Sequence, residues 1–277
     1  CPYGYPGPLI YTKNNEDTNA FVEESLKAFI RICRASAIIS VFVRFHPILS
    51  PIMDTYAQYG CLIEHGKTVS IDLSLSEEEM WRQIRYGHRS EIKKLQSRPH
   101  SVMVDYKWNH FEEFMQIYWQ NMRRHQANDY YFFPKEYFVQ LRAGLGDHLH
   151  LCIVKLDEQI ACAGLFTEIN GLVQYHLSGT KNEFLKQYPN KIMLDYMRQW
   201  SKKRGNKFLH LGGGVGGQAD SLFQFKAGFS KLRHPFYTWR AITDENAYTE
   251  AVKRWEVMHG LKADMITGFF PAYRKNM

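Results

Sequence analysis

The absences in this sequence narrow it first. There is no C-x-x-C, no H-E-x-x-H and no paired Cys/His spacing, so zinc finds no ligand set. No G-x-S-x-G elbow occurs, which removes the usual serine-hydrolase arrangement. The most apolar stretch, residues 37–43, is far too short to span a bilayer. The chain opens at Cys1 without Met and without a charged-then-apolar leader. There is no internal repeat and no low-complexity run. The five cysteines, Cys1, Cys33, Cys61, Cys152 and Cys162, are odd in number. Cys33, Cys152 and Cys162 stand in apolar surroundings and read as buried thiols, which points to a reducing compartment and a cytoplasmic protein.

What is present describes a globular chain of 277 residues, long enough for one large domain or two ordinary ones. It is 45% hydrophobic and 15% aromatic, enough for a sizeable core. Lys and Arg outnumber Asp and Glu by 35 to 28, a net charge of +7. That balance favours an anionic partner such as nucleic acid, a phosphorylated substrate or a membrane surface. The plain alternative is a surplus of solvated lysines.

The patterning predicts an α/β chain with a mixed sheet. A Pro/Gly-rich opening, CPYGYPGPLIY, leads to a short strand. A helix is expected over 17–34, with Phe21, Leu26, Phe29, Ile30 and Cys33 as its apolar stripe. Strands follow at 38–45 and 68–73. Ser76 to Glu79 is a capping box opening one helix that runs to about 96. A second unit is expected to begin near 99, dividing the chain into 1–98 and 99–277. It has a strand at 101–106, helices at 109–126 and 134–145, and strands at 148–155, 159–167 and 172–178. Asp157-Glu158 and Asn170-Gly171 are the hairpin turns. A helix over 191–204, a strand over 207–211, a short helix capped by Asp220, a strand over 234–242 and a helix over 244–258 complete it.

Five glycines fall within residues 212–217, directly after a strand. Gly212, Gly214 and Gly217 fit the dinucleotide spacing G-x-G-x-x-G, but the run comes late in the chain and the next strand, HPFYTWR, is basic. Gly212 and Gly217 fit a phosphate loop, yet Gln218 and Ala219 stand where its Lys and Ser/Thr belong. The remaining readings are a bare turn, or a turn that lets a ligand approach backbone closely ahead of a helix start. Leu222, Phe225 and Phe229 share one face of that helix, which should dock it, with Lys226 beside the face.

L-G-G-G ahead of D-x-L-x-x-F-K-x-G-F, residues 211–229, resembles the FemAB/FemX branch of the GNAT acyltransferase superfamily. SIDLSLSEEEMWRQIRYGHRSEIKKL is similar to that branch's strand and basic helix. YHLSGTKNEFLKQYPNKIMLDYMRQWSKKRG is similar to its strand, loop and central helix, and GFFPAYR to its ending. The opening PYGYPGPL resembles a segment lying well inside such proteins. The resemblance therefore implies tandem GNAT-like units, the N-terminal one truncated.

The resemblance implies a transferase that acylates a primary amine of a cell-envelope or surface-glycan precursor. Members of the branch use aminoacyl-tRNA to extend a peptidoglycan peptide, and others are held to use acyl-CoA. Either serves as co-substrate, with no tightly bound cofactor. An anionic or lipid-linked acceptor, tRNA and a peripheral membrane contact are the partners it implies. Two departures from ordinary GNAT enzymes stand out. Their pyrophosphate cradle, [R/Q]-x-x-G-x-[G/A], is replaced by the glycine-free KNEFLKQYPNKI, and Gln224 stands where their tyrosine acid belongs.

Aminolysis of an ester or thioester passes through a tetrahedral oxyanion and needs donors aimed at the developing charge. Lys226 is the expected catalytic residue, as a fixed positive charge. Arg85, Arg89 and Lys93 recur every four residues on one helix, a stripe suited to phosphates or simply solvated. Arg89, Arg124, Tyr131, Tyr175 and Phe225 are the expected substrate contacts, and Gly213, Gly214, Asn190 and Lys191 the expected donor contacts. His176 adjoins Tyr175 on the last meander strand, where the resemblance brings donor and acceptor together. From another class, the rival reading is a non-catalytic anion- or RNA-binding module, although no RNP1-like aromatic run is present.

Overall fold

A computed structural model of the chain describes residues 4–10, 18–49, 53–263 and 268–275. Cys1, Asp17 and the end of the expected opening strand lie outside these described residues. The chain runs α1 (Thr18–Ala35), β1 (Ser40–Arg44), α2 (Met53–Gln58), β2 (Cys61–Asp72), α3 (Glu77–Gln83) and α4 (Tyr86–Gln96). It continues with β3 (His100–Val104), α5 (Phe111–Arg124), α6 (Lys135–Leu145), β4 (Leu149–Leu156), β5 (Gln159–Ile169) and β6 (Leu172–Thr180). The last elements are α7 (Pro189–Lys203), β7 (Phe208–Gly212), α8 (Ser221–Ala227), β8 (Arg233–Ile242) and α9 (Glu245–His259).

Two compact units divide the chain, one made of residues 1–67 with 234–277 and one of residues 68–233. The expected break between 98 and 99 falls inside the second of these, between α4 and β3. In the first unit β1 and β8 are antiparallel, and the first half of β2 lies beside β8. Val22, Leu26, Phe45, Tyr56 and Trp239 form its core, with Tyr56 edge-on to both Phe45 and Trp239. The face that α1 buries is Val22, Leu26 and Cys33, whereas Phe21 and Phe29 from the expected stripe are 57% and 42% exposed.

The second unit is a mixed sheet in the order β2-β7-β6-β5-β4-β3. Asp157 and Glu158 have φ of 48° and 63°, and Asn170 and Gly171 have 49° and 81°, the positive pairs that tight hairpins require. The hairpins therefore set the antiparallel meander β4-β5-β6. Strand β4 is buried along nearly its whole length, and β5 over residues 160–166, because helices cover both faces. On one face α7 lies across the sheet with α4 packed on it, around Ile92, Met193, Met197, Leu209 and Leu211. The other face carries α5, whose Phe114 and Tyr118 meet Phe138 of α6 edge-on.

Two local features position the site. The expected continuous helix over 76–96 is broken: Ile84 and Arg85 are extended, with ψ of 127° and 142°. The break lets the Arg85 amide donate to the Gly228 carbonyl at 2.7 Å, at the end of α8. The capping box survives, with Glu79 N–H donating to Ser76 Oγ at 3.2 Å and Ser76 N–H to Glu79 Oε2 at 2.9 Å. Second, β6 and β7 are parallel and paired only through Leu172–Phe208, Val173–Leu209 and Gln174–His210. Beyond that rung β6 continues to Thr180 while β7 ends at Gly212, so the strands part. A bulge in the β5–β6 ladder, with Leu165 opposite Leu177 but Phe166 opposite Tyr175, leaves His176 out of register in the same stretch.

The seat of α5 on β6 is tight at Gly179, where an added Cβ would lie 2.7 Å from the Ile117 carbonyl oxygen. Gly179→Ala should destabilise the chain by about 1–3 kcal/mol, lowering Tm by about 2–12 °C in calorimetry. An unchanged Tm would mean that α5 slides on the sheet without penalty.

Candidate active site

The glycine run is a folded turn. Gly212, Gly216 and Gly217 have φ of 80°, 62° and 83°, a region that side chains disfavour. At Gly214 an added Cβ would stand 2.1 Å from the Gln218 carbonyl oxygen and 2.3 Å from Asp220 Oδ1. Asp220 caps α8 by accepting from Phe223 N–H at 2.8 Å, and its other oxygen accepts from Val215 N–H at 2.9 Å. The start of α8 is thus occupied by its own cap rather than open to a ligand.

Lys226, expected at the edge of this helix, is inside: it is 9% exposed. Its Nζ donates to the Gly213 carbonyl at 2.7 Å, just past the point where β7 has left β6. Burial pushes the ammonium down to about 8, with the Asp220 carboxylate acting the other way. The helix docks through Phe229, which is fully buried, and through Phe223 and Phe225 against the same core; Leu222 is 40% exposed instead of sharing that contact.

His88 of α4 was not singled out in the sequence. Its ring is buried between Phe225 and Phe229, 5.6 and 4.8 Å from their centroids, and Nε2–H donates to the Phe225 carbonyl at 2.9 Å. Burial drives it down to about 4, so the ring is neutral at physiological pH. Gly228 leaves room for it: a Cβ there would be 2.4 Å from His88 Nε2. The signal available in the sequence was the pairing of a small residue after F-K with a histidine on the R-x-x-I-x-K helix.

The other expected contacts scatter. Arg89 is half-buried on α4, one turn beyond Arg85, whose guanidinium lies 3.4 Å from the Gln224 carbonyl. Lys191, at the start of α7, is spent on an ion pair with Glu91 of α4 and on the face of Tyr188, 4.4 Å away. Asn190 Oδ1 is buried with no hydrogen-bond partner among the described residues. Tyr175 stacks on Phe166 at 5.2 Å and hydrogen-bonds Ser178; burial pushes its hydroxyl up, away from the range of a useful acid.

Arg124 and Tyr131 belong to a different neighbourhood. Arg124 donates to the Thr180 carbonyl at 3.1 Å, to Asn182 Oδ1 at 2.7 Å and to Asn121, tying the end of α5 to the end of β6. Tyr131 is half-buried, and its carbonyl accepts the Tyr118 hydroxyl at 2.8 Å. Nearby, Tyr137 lies 3.3 Å from His176 Nε2, and burial drives His176 down to about 4.

The acetyltransferase (GNAT) domain model matches residues 82–226, just over half of the chain and wholly within the second unit; the match ends on Lys226. The chain belongs to the GNAT acetyltransferase family, and it is an acyltransferase. FemX shares its fold at a TM-score of 0.64, with 14% identity over 84% of this chain and 79% of that one. The C-terminal domain of a protein assigned as a lysylphosphatidylglycerol synthetase from Agrobacterium fabrum aligns at 0.59, with 13% identity over 88% and 79%. L-PGS from Bacillus licheniformis aligns at 0.56, with 14% identity over 82% and 74%. No curated protein matches the chain. No helix among the described residues is long and apolar enough to cross a membrane.

Arg124→Met should remove three hydrogen bonds of a charged donor and destabilise the chain by about 2–3 kcal/mol, read from the urea midpoint. Full stability combined with a raised KM would return Arg124 to the substrate.

Proposed function

We propose that the chain transfers an aminoacyl or acyl group to a primary amine of an envelope or surface-glycan precursor, with the Lys226 ammonium facing the reacting carbonyl. The observation that carries this reading is a cation held out of water on the Gly213 carbonyl, just past the last paired rung of β6 and β7. A desolvated, pre-placed charge is worth far more to a developing oxyanion than one in bulk water. As the carbonyl oxygen gains charge, Nζ exchanges the Gly213 carbonyl for it. The acceptor amine must reach the site neutral, and its proton leaves to solvent or to the departing group. Gln224 and the raised Tyr175 hydroxyl offer no acid for that departure.

An activated aminoacyl ester fits better than acyl-CoA bound in the ordinary way. The stretch before α7 holds no glycine, Pro189 contributes no N–H, and the Lys191 charge is spent on Glu91. A pyrophosphate would meet that carboxylate rather than a cradle of amides. The family's general use of acyl-CoA keeps that donor as the second reading. The names of FemX and the lysylphosphatidylglycerol synthetase support the first by analogy of fold.

Calorimetric titration with acetyl-CoA should show no micromolar binding, that is nothing near −8 kcal/mol; a one-to-one micromolar isotherm would restore the acyl-CoA reading. Transfer is tested with a tRNA pool charged with labelled amino acids and a lysine-containing peptidoglycan-precursor peptide. Lys226→Met should slow it by about 30- to 1,000-fold, or about 2–4 kcal/mol, with stability changed by about 1–2 kcal/mol at most. An unchanged rate removes Lys226 from the chemistry. Because Lys226 loses its proton near pH 8 while the acceptor amine, with an ordinary value of about 10.4, is still gaining its neutral form, the wild-type rate per neutral acceptor amine should fall as pH rises through about 8; a rate so corrected that climbs there would make the neutral Lys226 amine, not the ammonium, the working form.

A further inference from the structure

One carboxylate holds both ends of the hydrogen bond on which the proposed site depends. Asp220 Oδ1 fixes the first turn of α8, the helix that carries Lys226. Asp220 Oδ2 fixes Val215 N–H, and so the turn that presents the Gly213 carbonyl to Lys226. The close approach of Gly214, which no side chain would permit, is what seats the carboxylate between the two segments. A residue serving only as a helix cap needs one acceptor atom; here the second oxygen spans five residues back to the glycine turn.

The charge of Asp220 has a separate effect. Around α8, the ionisable groups that face Lys226 or the backbone beside it are few. His88 of α4 is neutral, the Arg85 guanidinium reaches the Gln224 carbonyl, and the Arg233 guanidinium lies 3.4 Å from the Ala227 carbonyl and over the Phe223 ring. Burial disfavours a charged Lys226, and Asp220 is the acid that opposes it.

We propose that Asp220 is a positioning residue for the transfer: it sets the place of the Lys226 ammonium through the glycine turn and keeps that group charged at the pH where the enzyme works. The proposal rests on the reading of Lys226 as the charge donor, but it can be tested apart from it. Asp220→Asn retains an oxygen for the Phe223 amide, loses the charge, and turns an NH2 toward the Val215 amide. Asp220→Ser retains only the cap and serves if the first variant folds poorly.

The measurement is the titration of the Lys226 side chain by NMR of lysine-labelled protein, assigned by its loss in Lys226→Met, together with the pH profile of transfer from the charged tRNA pool. In Asp220→Asn the Lys226 midpoint should move down by about one pH unit, in keeping with loss of a close opposite charge. The falling limb of the rate profile should move with it. A Lys226 midpoint that stays in place in both variants overturns the proposal. A midpoint that moves while the rate limb does not upholds the role of Asp220 and contradicts the role given to Lys226.

Discussion

A buried ammonium has to be held by something, and Lys226 is held by a backbone carbonyl. The arrangement around it follows from that requirement. Gly213 can offer its oxygen only because β7 stops at Gly212 and the chain turns through positive φ. The turn closes only because Gly214 has no side chain to meet Asp220. Helix α8 keeps its place because His88 fits against Gly228 and because α3 and α4 are separated by an extended Arg85 whose amide bonds to the Gly228 carbonyl. Each of these is a close backbone approach, and each would fail with one added carbon or one continuous helix.

The same economy shapes the opening beside Lys226. A parallel pairing of three rungs brings β6 and β7 together, and then the bulge at His176 and the end of β7 let them part. The parted ends lie among packed helices, the kind of place where a polar group is expensive to leave unsatisfied. The buried Oδ1 of Asn190 is such a group, at the start of the central helix. Lys191 beside it has been withdrawn into an ion pair, so this helix start offers an amide oxygen rather than a cation.

Much of this was legible in the sequence. Periodicity and turn chemistry placed the hairpins at 157–158 and 170–171, the central helix, the strand after it and the cap at Asp220, because each depends on local rules. The depth of Lys226 was not: a lysine next to an apolar stripe reads as edge, and only the carbonyl of the turn makes a buried ammonium tolerable. The break at Arg85 was hidden because Ile84 and Arg85 fit a helix, and a hydrogen bond from residue 228 overrides that fit. The stripe of α1 was misread in part, since Val22 rather than Phe21 faces the core. Arg124 was expected at the substrate from its basic-aromatic setting and the resemblance; its hydrogen bonds to Thr180 and Asn182, about sixty residues on, are what no local pattern announces.

The central claim is that the Lys226 ammonium meets the reacting carbonyl at the opening between β6 and β7. The direct measurement is a crystal structure with a phosphonate that mimics the tetrahedral intermediate of an aminoacyl-adenosine ester. The account predicts a phosphonate oxygen about 2.7–3.1 Å from Lys226 Nζ, with the Gly213 contact lengthened or lost. A phosphonate bound elsewhere, with Nζ still on the Gly213 carbonyl, would contradict it.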